Sequence, residues 1–375
     1  NPLLHVLADL FITFKADPKR YLAFSRDSGW FSGKIRYQPK RFSRDPFGIV
    51  VEYLESNGYI GATKGFNDRR TGKSRNSRMI AKDKLINLFD KHKLTVSDFY
   101  QLDTKESIIL KADKDEQGNK ALIDYEDTSD TKLMRANLRI INENISKHWI
   151  DIKITDKQFN ELQDKLYNRA TSKKTNHNRK SPVNFTRTNL VRIFNNESFE
   201  DGGRFYRGWW QEILSDYRKY ITIDGLETVE IDYSAMHFYM MYAEQGLNIP
   251  KEDPYTFEGL DRKEVKIALN IAINAKCEQD GISAIKADIW SDKSYPEVKE
   301  VLEFIKKRHK PIASYFFSGK GVKLQYLDSK VAELVMLNLL KNNEVIALPV
   351  HDSFIVAKKH KSYLLHHMKK CFEAI

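Results

Sequence analysis

Two cysteines in 375 residues, Cys277 and Cys371, leave no room for a disulfide framework or a cysteine-ligated zinc site, and they fit a reducing, cytoplasmic setting. Proline and glycine are also scarce, at 10 and 17 residues. With 41% hydrophobic content this excludes fibrous and low-complexity chains and leaves a folded globular protein. No run approaches the ~20 apolar residues of a membrane span, so no membrane is expected as a partner. The opening Asn1-Pro2-Leu3-Leu4-His5-Val6-Leu7 lacks the basic n-region of a secretory leader, and its first residue, not being Met, implies a processed or trimmed start. Acid is the other shortage: 51 Asp and Glu face 62 Lys and Arg, for a net charge of +11 and a pI near 9.2. Such an excess suits a polyanionic partner, although a merely solvated basic surface has the same composition. On length alone the chain buries a sizeable core and divides into two or three domains.

What is present begins without pattern. Residues 1–44 mix apolar and basic side chains, with one exposed basic loop at Arg36-Tyr37-Gln38-Pro39-Lys40-Arg41. From there Asp45-Pro46 caps a helix carrying Ile49, Val50, Tyr53 and Leu54, which ends at Asn57-Gly58, and Tyr59-Ile60-Gly61 reads as a short strand. Lys64 to Arg78 is a loop dense in Lys, Arg, Gly and Asn, and a helix from Ala81 to Lys91 puts Leu85, Leu88 and Phe89 on one face. Helix, short strand, basic turn and helix match a winged-helix-like piece in which Arg69, Arg70, Lys73 and Arg75 contact phosphates and position a duplex; a solvated loop is the plainer reading. Ile108-Ile109-Leu110 and Ala121-Leu122-Ile123 flank a polar turn and form a hairpin. Amphipathic helices follow at 130–147, with Leu133, Leu138, Ile141 and Ile145, and at 156–167, with Phe159, Leu162 and Leu166. The polar, basic run Thr171 to Pro182 reads as a loop or linker and sets a domain boundary.

Two stretches beyond it carry chemistry. Val229-Glu230-Ile231-Asp232-Tyr233-Ser234 and Leu348-Pro349-Val350-His351-Asp352-Ser353-Phe354-Ile355-Val356 each set an aspartate at the edge of an apolar, β-branched run, so each reads as a strand delivering a carboxylate to its end. One such aspartate is ordinary strand-end chemistry. A pair is a candidate site for two Mg²⁺ ions, with substrate phosphates and water completing the shell, and that is the chemistry of an in-line nucleotidyl transfer. Between them Arg262, Lys266, Asn270 and Asn274 recur every four residues and line one helix face, whose cationic first half suits a triphosphate. Helices at 297–308, 324–341 and 361–373 complete this half, and Gly202-Gly203-Arg204-Phe205-Tyr206 reads as a glycine turn beside an arginine and an aromatic.

In this order these stretches resemble the family A DNA polymerases, of the DNA polymerase I type, and their relatives the single-subunit phage and mitochondrial RNA polymerases. The resemblance covers residues 190–375. It implies an α+β right-hand polymerase with an antiparallel palm sheet, reduced helical fingers and a helical thumb, behind a small N-terminal winged-helix-like domain. The blocks expected are 1–128 for nucleic-acid binding, 129–185 for thumb-like helices and a basic linker, and 186–375 for palm and fingers. It implies that Asp232 and Asp352 are the catalytic metal ligands, with the carbonyl of Tyr233 as a further ligand, and that Arg262 and Lys266 grip the incoming nucleoside triphosphate. Arg204 and Tyr206 would touch the primer-template, Gln325 a minor groove or sugar, and His351 the nucleic acid beside Asp352. A phage or mobile-element replication enzyme, with an accessory replication subunit as a further partner, is the setting such a chain implies.

The departures from that pattern bear on the product. His237 stands five residues after Asp232, where DNA polymerases of the family carry Glu and the RNA polymerases Gly. Asn270 and Asn274 replace aromatics on the cationic helix. Asp232-Tyr233-Ser234 matches the DNA branch and His351-Asp352-Ser353 the RNA branch. The bulk of an imidazole at 237 favours deoxynucleotides, and its capacity to hydrogen-bond favours ribonucleotides. A DNA polymerase without proofreading is the reading taken; an RNA-synthesising primase or single-subunit RNA polymerase-like enzyme, and a non-catalytic DNA-binding replication protein, are the alternatives.

Overall fold

The computed structural model of the protein describes residues 1–26, 31, 36–37, 44–68, 70–71, 73–95, 98–99, 106–116, 118–172 and 183–375. Most of the basic run 36–41, Arg69 and the polar stretch 173–182 lie outside the described residues. The chain is α+β with antiparallel sheets, and it divides into two compact units interleaved in sequence. One comprises Asn1–Ile109, Leu122–Val191 and Tyr206–Val229, the other Leu110–Ala121, Arg192–Phe205 and Glu230–Ile375. This division differs from the three consecutive blocks expected, because pairing between segments distant in sequence leaves no local trace.

In the first unit, helices Pro2–Ala16, Arg44–Ser56 and Asp83–Lys91 share one core with a three-stranded antiparallel sheet of order Leu22–Phe24, Ser77–Ala81, Ile60–Thr63. Met79 stands opposite both Leu22 and Ala62, and Phe24, Ile60 and Met79 turn inward onto Leu10, Phe11 and Leu54. The stripe expected from Ile49, Val50, Tyr53 and Leu54 is rotated: Val51 and Leu54 are buried, while Ile49 and Tyr53 are exposed. The basic stretch expected as a loop instead holds a two-stranded ribbon, Phe66–Asp68 with Lys73–Arg75, and leads into the central strand. Ala81, expected to open the following helix, closes that strand, and the helix begins at Asp83. Ser77 and Met79 face inward there and Arg78 and Ile80 less so, and with one large apolar residue on the inner face the period of two is illegible.

Further along this unit, the expected helices stand at Ser129–Ile145, started by a capping box of Thr128 and Thr131, and at Asp156–Ser172. Leu138, Ile141 and Ile145 are buried, whereas Leu133 faces solvent. Glu106, also buried, receives Arg36 at 3.0 Å and Arg135 at 2.9 Å, which compensates a carboxylate taken out of water. Strands Ile150–Ile152 and Ile221–Ile223 pair antiparallel, and the latter pairs with the start of Leu226–Asp232.

In the second unit the expected hairpin appears as Ile108–Lys114 beside Lys120–Leu122, part of a four-stranded sheet continued by Val191–Asn195 and Ser198–Tyr206. Gly202 and Gly203, expected as a turn, lie within that last strand with φ of +86° and +77°. A Cβ at Gly203 would meet the Phe194 ring at 2.6 Å and Ser329 Oγ at 3.0 Å, so only glycine admits this approach. The long helix Gly321–Asn343 is the centre of the unit, in contact with Met236–Glu244, Arg262–Asn274 and Lys361–Glu373. Leu348–Val350 and Ser353–Ala357 form an antiparallel hairpin. Among the described residues no helix is long and apolar enough to cross a membrane.

Candidate functional site

Asp232 ends the strand Leu226–Asp232, and Asp352 occupies the turn of the hairpin, where His351 takes a left-handed φ of +58°. The backbone N–H of Tyr233 donates to the carbonyl of Asp352 at 3.2 Å, so the two strand ends are pinned together. Ser353 Oγ donates to Glu230 at 2.6 Å, a second tie between the same segments. Asp232 is open to solvent, yet the protein around its carboxyl withholds enough water to push its pKa up to about 6. After that desolvation the largest upward influence is the charge of Asp352; Glu230 adds to it, and Lys266 opposes it. Tyr233 directs its side chain away from this pair, with its ring beside Phe354 and Phe372 and its hydroxyl donating to the carbonyl of Met368.

The helix Arg262–Asn274 starts at Asp261, whose carboxylate caps the N–H groups of Lys263 and Glu264 at 2.9 and 3.1 Å. Val265, Ala268, Leu269, Ala272 and Ile273 are buried, which leaves Arg262, Lys266, Asn270 and Asn274 on the exposed face, as their spacing implies. The four are not equivalent. Arg262 is paired with Asp253 at 2.6 Å, and this partner holds the Asp253 carboxyl below its ordinary range. Arg262 and Lys266 both lie over the ring of Tyr255, at 5.5 and 6.0 Å. Asn274 donates to the carbonyl of Asn270 at 2.7 Å and abuts Gly321, where a Cβ would stand 2.0 Å from its oxygen. Asn274 therefore serves the junction with the long helix, and both asparagines line a recess with Ile267, Ile271 and Lys276.

A second cluster joins Arg204 and His237 through a residue that the sequence reading did not single out. Asp328, on the long helix and 1% exposed, receives Arg204 Nε at 3.0 and 2.9 Å on its two oxygens, a further contact from the Arg204 guanidinium, and His237 Nε2 at 2.6 Å. Next to it Ser329 receives Arg192, also 1% exposed, which donates in addition to Gly203 O at 2.8 Å and to Glu333 at 2.9 Å. Gln325 stands one turn ahead of Asp328 on the same helix. Asp328 was findable: it interrupts the buried stripe Leu324, Val331, Val335 and Leu339 at the position where an apolar side chain belongs. Tyr255 and Asp253, on a segment without periodicity, gave no such signal.

Tyr206 ends its strand half-buried, and His351 is exposed beside Asp352. Arg70 and Arg75 are exposed in the first unit, Arg75 over the ring of Phe66 at 5.4 Å, while Lys73 opens the second strand of the ribbon. Among the described residues no three His, Cys, Asp or Glu side chains converge as a metal cage. Two carboxylates are, however, what Mg²⁺ commonly takes from a protein when phosphates and water supply the other oxygens. No protein-family model matches the chain, and no curated protein matches it.

Proposed function

We propose that the chain extends a nucleic-acid strand by template-directed nucleotidyl transfer, as a polymerase of the family A kind. The observation that carries this reading is the approach of Asp232 and Asp352, far apart in sequence, until one raises the pKa of the other with Lys266 close by. Like charges so placed oppose folding unless a cation joins them, and hard carboxylate oxygens with no sulfur ligand fit Mg²⁺. Asp232 and Asp352 would hold it, with the Tyr233 carbonyl as a third oxygen. Two such ions, held there, would supply activation of the 3′-hydroxyl and compensation of the charge on the departing pyrophosphate.

The chain's own residues bind and orient. Lys266 meets triphosphate oxygens, and Arg262 joins it by exchanging the exposed carboxylate of Asp253 for phosphate. Asn270 and Asn274 extend the nucleotide face, and Arg204, Tyr206, Gln325 and His351 contact primer-template. The ribbon of the first unit would serve as a wing, with the basic residues Arg70, Lys73 and Arg75 as its contacts to backbone phosphates. The sugar of the incoming nucleotide turns on His237. Primer extension with Mg²⁺, with dNTPs and rNTPs in separate reactions, tests the reading. Growth of the primer in at least one is expected; a protein that binds duplex and adds neither is a DNA-binding replication protein instead.

A further inference from the structure

We propose that Asp328 is a positioning residue that fixes His237 with its ring proton on Nε2, so that Nδ1 is left as a hydrogen-bond acceptor for a sugar hydroxyl of the nucleotide. This deepens the polymerase reading and rests on it.

The proton can be placed from the two contacts at Nε2. Asp328 Oδ2 lies 2.6 Å from it and Arg204 Nη2 lies 3.2 Å from it. An unprotonated Nε2 would bring its lone pair against a carboxylate oxygen at 2.6 Å, which is repulsive. A protonated Nε2 makes that distance a short, charge-assisted hydrogen bond. The Arg204 contact is then an approach of two donors that share one oxygen, as its greater length fits. Asp328 thereby receives N–H groups from both partners, which is what keeps a carboxylate at 1% exposure satisfied.

The consequence concerns the other ring nitrogen. In the neutral ring with Nε2 protonated, Nδ1 is an acceptor only. The imidazole cannot flip without taking the proton from Asp328, so its orientation is set by the long helix. It stands in the first turn of Met236–Glu244, just after the left-handed Ala235 with which the chain leaves Asp232. His237 and Arg204 retain side-chain exposures of 19% and 15%, so the pair borders solvent while its anchor does not. A nucleotide bearing a hydroxyl opposite Nδ1 satisfies it, whereas the deoxy analogue leaves it unpaired. The ring surroundings thus favour hydrogen bonding over bulk as the way His237 reads a sugar, and ribonucleotides as the substrate class.

Two measurements test this. Nitrogen-15 NMR of histidine-labelled wild type, without nucleotide, is expected to show His237 protonated at Nε2 and bare at Nδ1. A proton on Nδ1 overturns the proposal, whatever the activity. Single-nucleotide addition is then compared for rNTP, dNTP and 3′-deoxy-rNTP in wild type and Asp328→Asn, after thermal unfolding has shown that the variant is folded. Loss of the 2′-hydroxyl is expected to lower kcat/KM about tenfold in wild type, mostly through KM, with the 3′-deoxy arm as the control that is expected to change little. In Asp328→Asn the loss is expected to fall below about threefold as the ring loses its fixed tautomer. Equal hydroxyl dependence in the two proteins, or none in wild type, overturns the role of Asp328 and leaves the polymerase standing. Absence of addition with every nucleotide overturns the polymerase reading and the sugar reading with it.

Discussion

Asp328 and Asp232 belong to the same unit and are handled in opposite ways. Asp328 is almost wholly buried and is supplied with Arg204 and His237. Asp232 is open to solvent and faces the like charges of Asp352 and Glu230, against which stand the nearby Lys266 and a hydrogen bond from the Tyr233 backbone. A carboxylate that organises the fold has its charge compensated within the protein; the one at the strand end is left short of positive charge, which is what a cation-binding position requires. Glu106 in the first unit follows the Asp328 pattern, buried between Arg36 and Arg135. The contrast predicts that removing each kind of carboxylate damages a different property.

The largest effect expected is on catalysis. Asp232→Ala and Asp352→Ala should each lower nucleotide addition by at least about a thousandfold, since the loss of a metal ligand removes transition-state stabilisation. Duplex affinity, measured by fluorescence anisotropy, should change little, because neither residue supplies positive charge to the backbone. Loss of duplex binding together with activity in both variants would give these residues the structural role of Asp328 and erase the contrast.

Next comes stability. Asp328→Ala leaves the guanidinium of Arg204 and the imidazole of His237 without their shared acceptor, and truncating one partner of a buried ion pair costs about 3 kcal/mol or more. Denaturant unfolding should show that loss, while Asp328→Asn should lose less. An alanine variant as stable as wild type would show that the cluster is dispensable to the fold.

The cations should rank by what already holds them. Lys266 lies near the aspartates, so Lys266→Ala should raise the nucleotide KM and lower kcat, by roughly tenfold or more in kcat/KM. Arg262 must leave Asp253 to reach a phosphate, and Arg262→Ala should act mainly on KM and less strongly. Steady-state kinetics with wild-type constants in both variants would remove the nucleotide from this helix.

How far the sequence foretold these positions depends on whether their surroundings are local. Asp232 and Asp352 end apolar runs, and Arg262 and Lys266 repeat at one helical turn, so a few neighbouring residues suffice to place them on their elements. Asp328 differs: its partners come from a strand and a helix far away in sequence, and its one local sign is a carboxylate in an apolar stripe. The ribbon Phe66–Asp68 with Lys73–Arg75 had no apolar alternation to display, and the interleaved units arise from strand pairing that no window of residues contains. His237 was legible as a position and not as a tautomer, since the nitrogen that carries the proton is set by Asp328.

The smallest effect expected is the most direct measure of the contrast, because it reverses the usual sign of a mutation. The Asp232 carboxyl holds its proton more tightly in the folded chain, at about 6, than its ordinary value of 3.8. Folding therefore favours the protonated form. The stability linked to this group is fully present below the unfolded value, and it is lost as pH rises through the folded one. At pH 7.5, without divalent cation, Asp232→Asn should consequently be more stable than wild type, by about 1 kcal/mol once solvent screening of this exposed group is allowed for. Below pH 4 the gain should vanish, since wild type is then protonated too. Millimolar Mg²⁺ should raise the wild-type Tm at pH 7.5 more than at pH 5, and should raise that of Asp232→Asn less at either. Thermal unfolding of both proteins at these pH values, with and without Mg²⁺, decides the matter. If Asp232→Asn is destabilising at neutral pH, the aspartate is held by partners as Asp328 is, and the strand ends form no site in want of a cation.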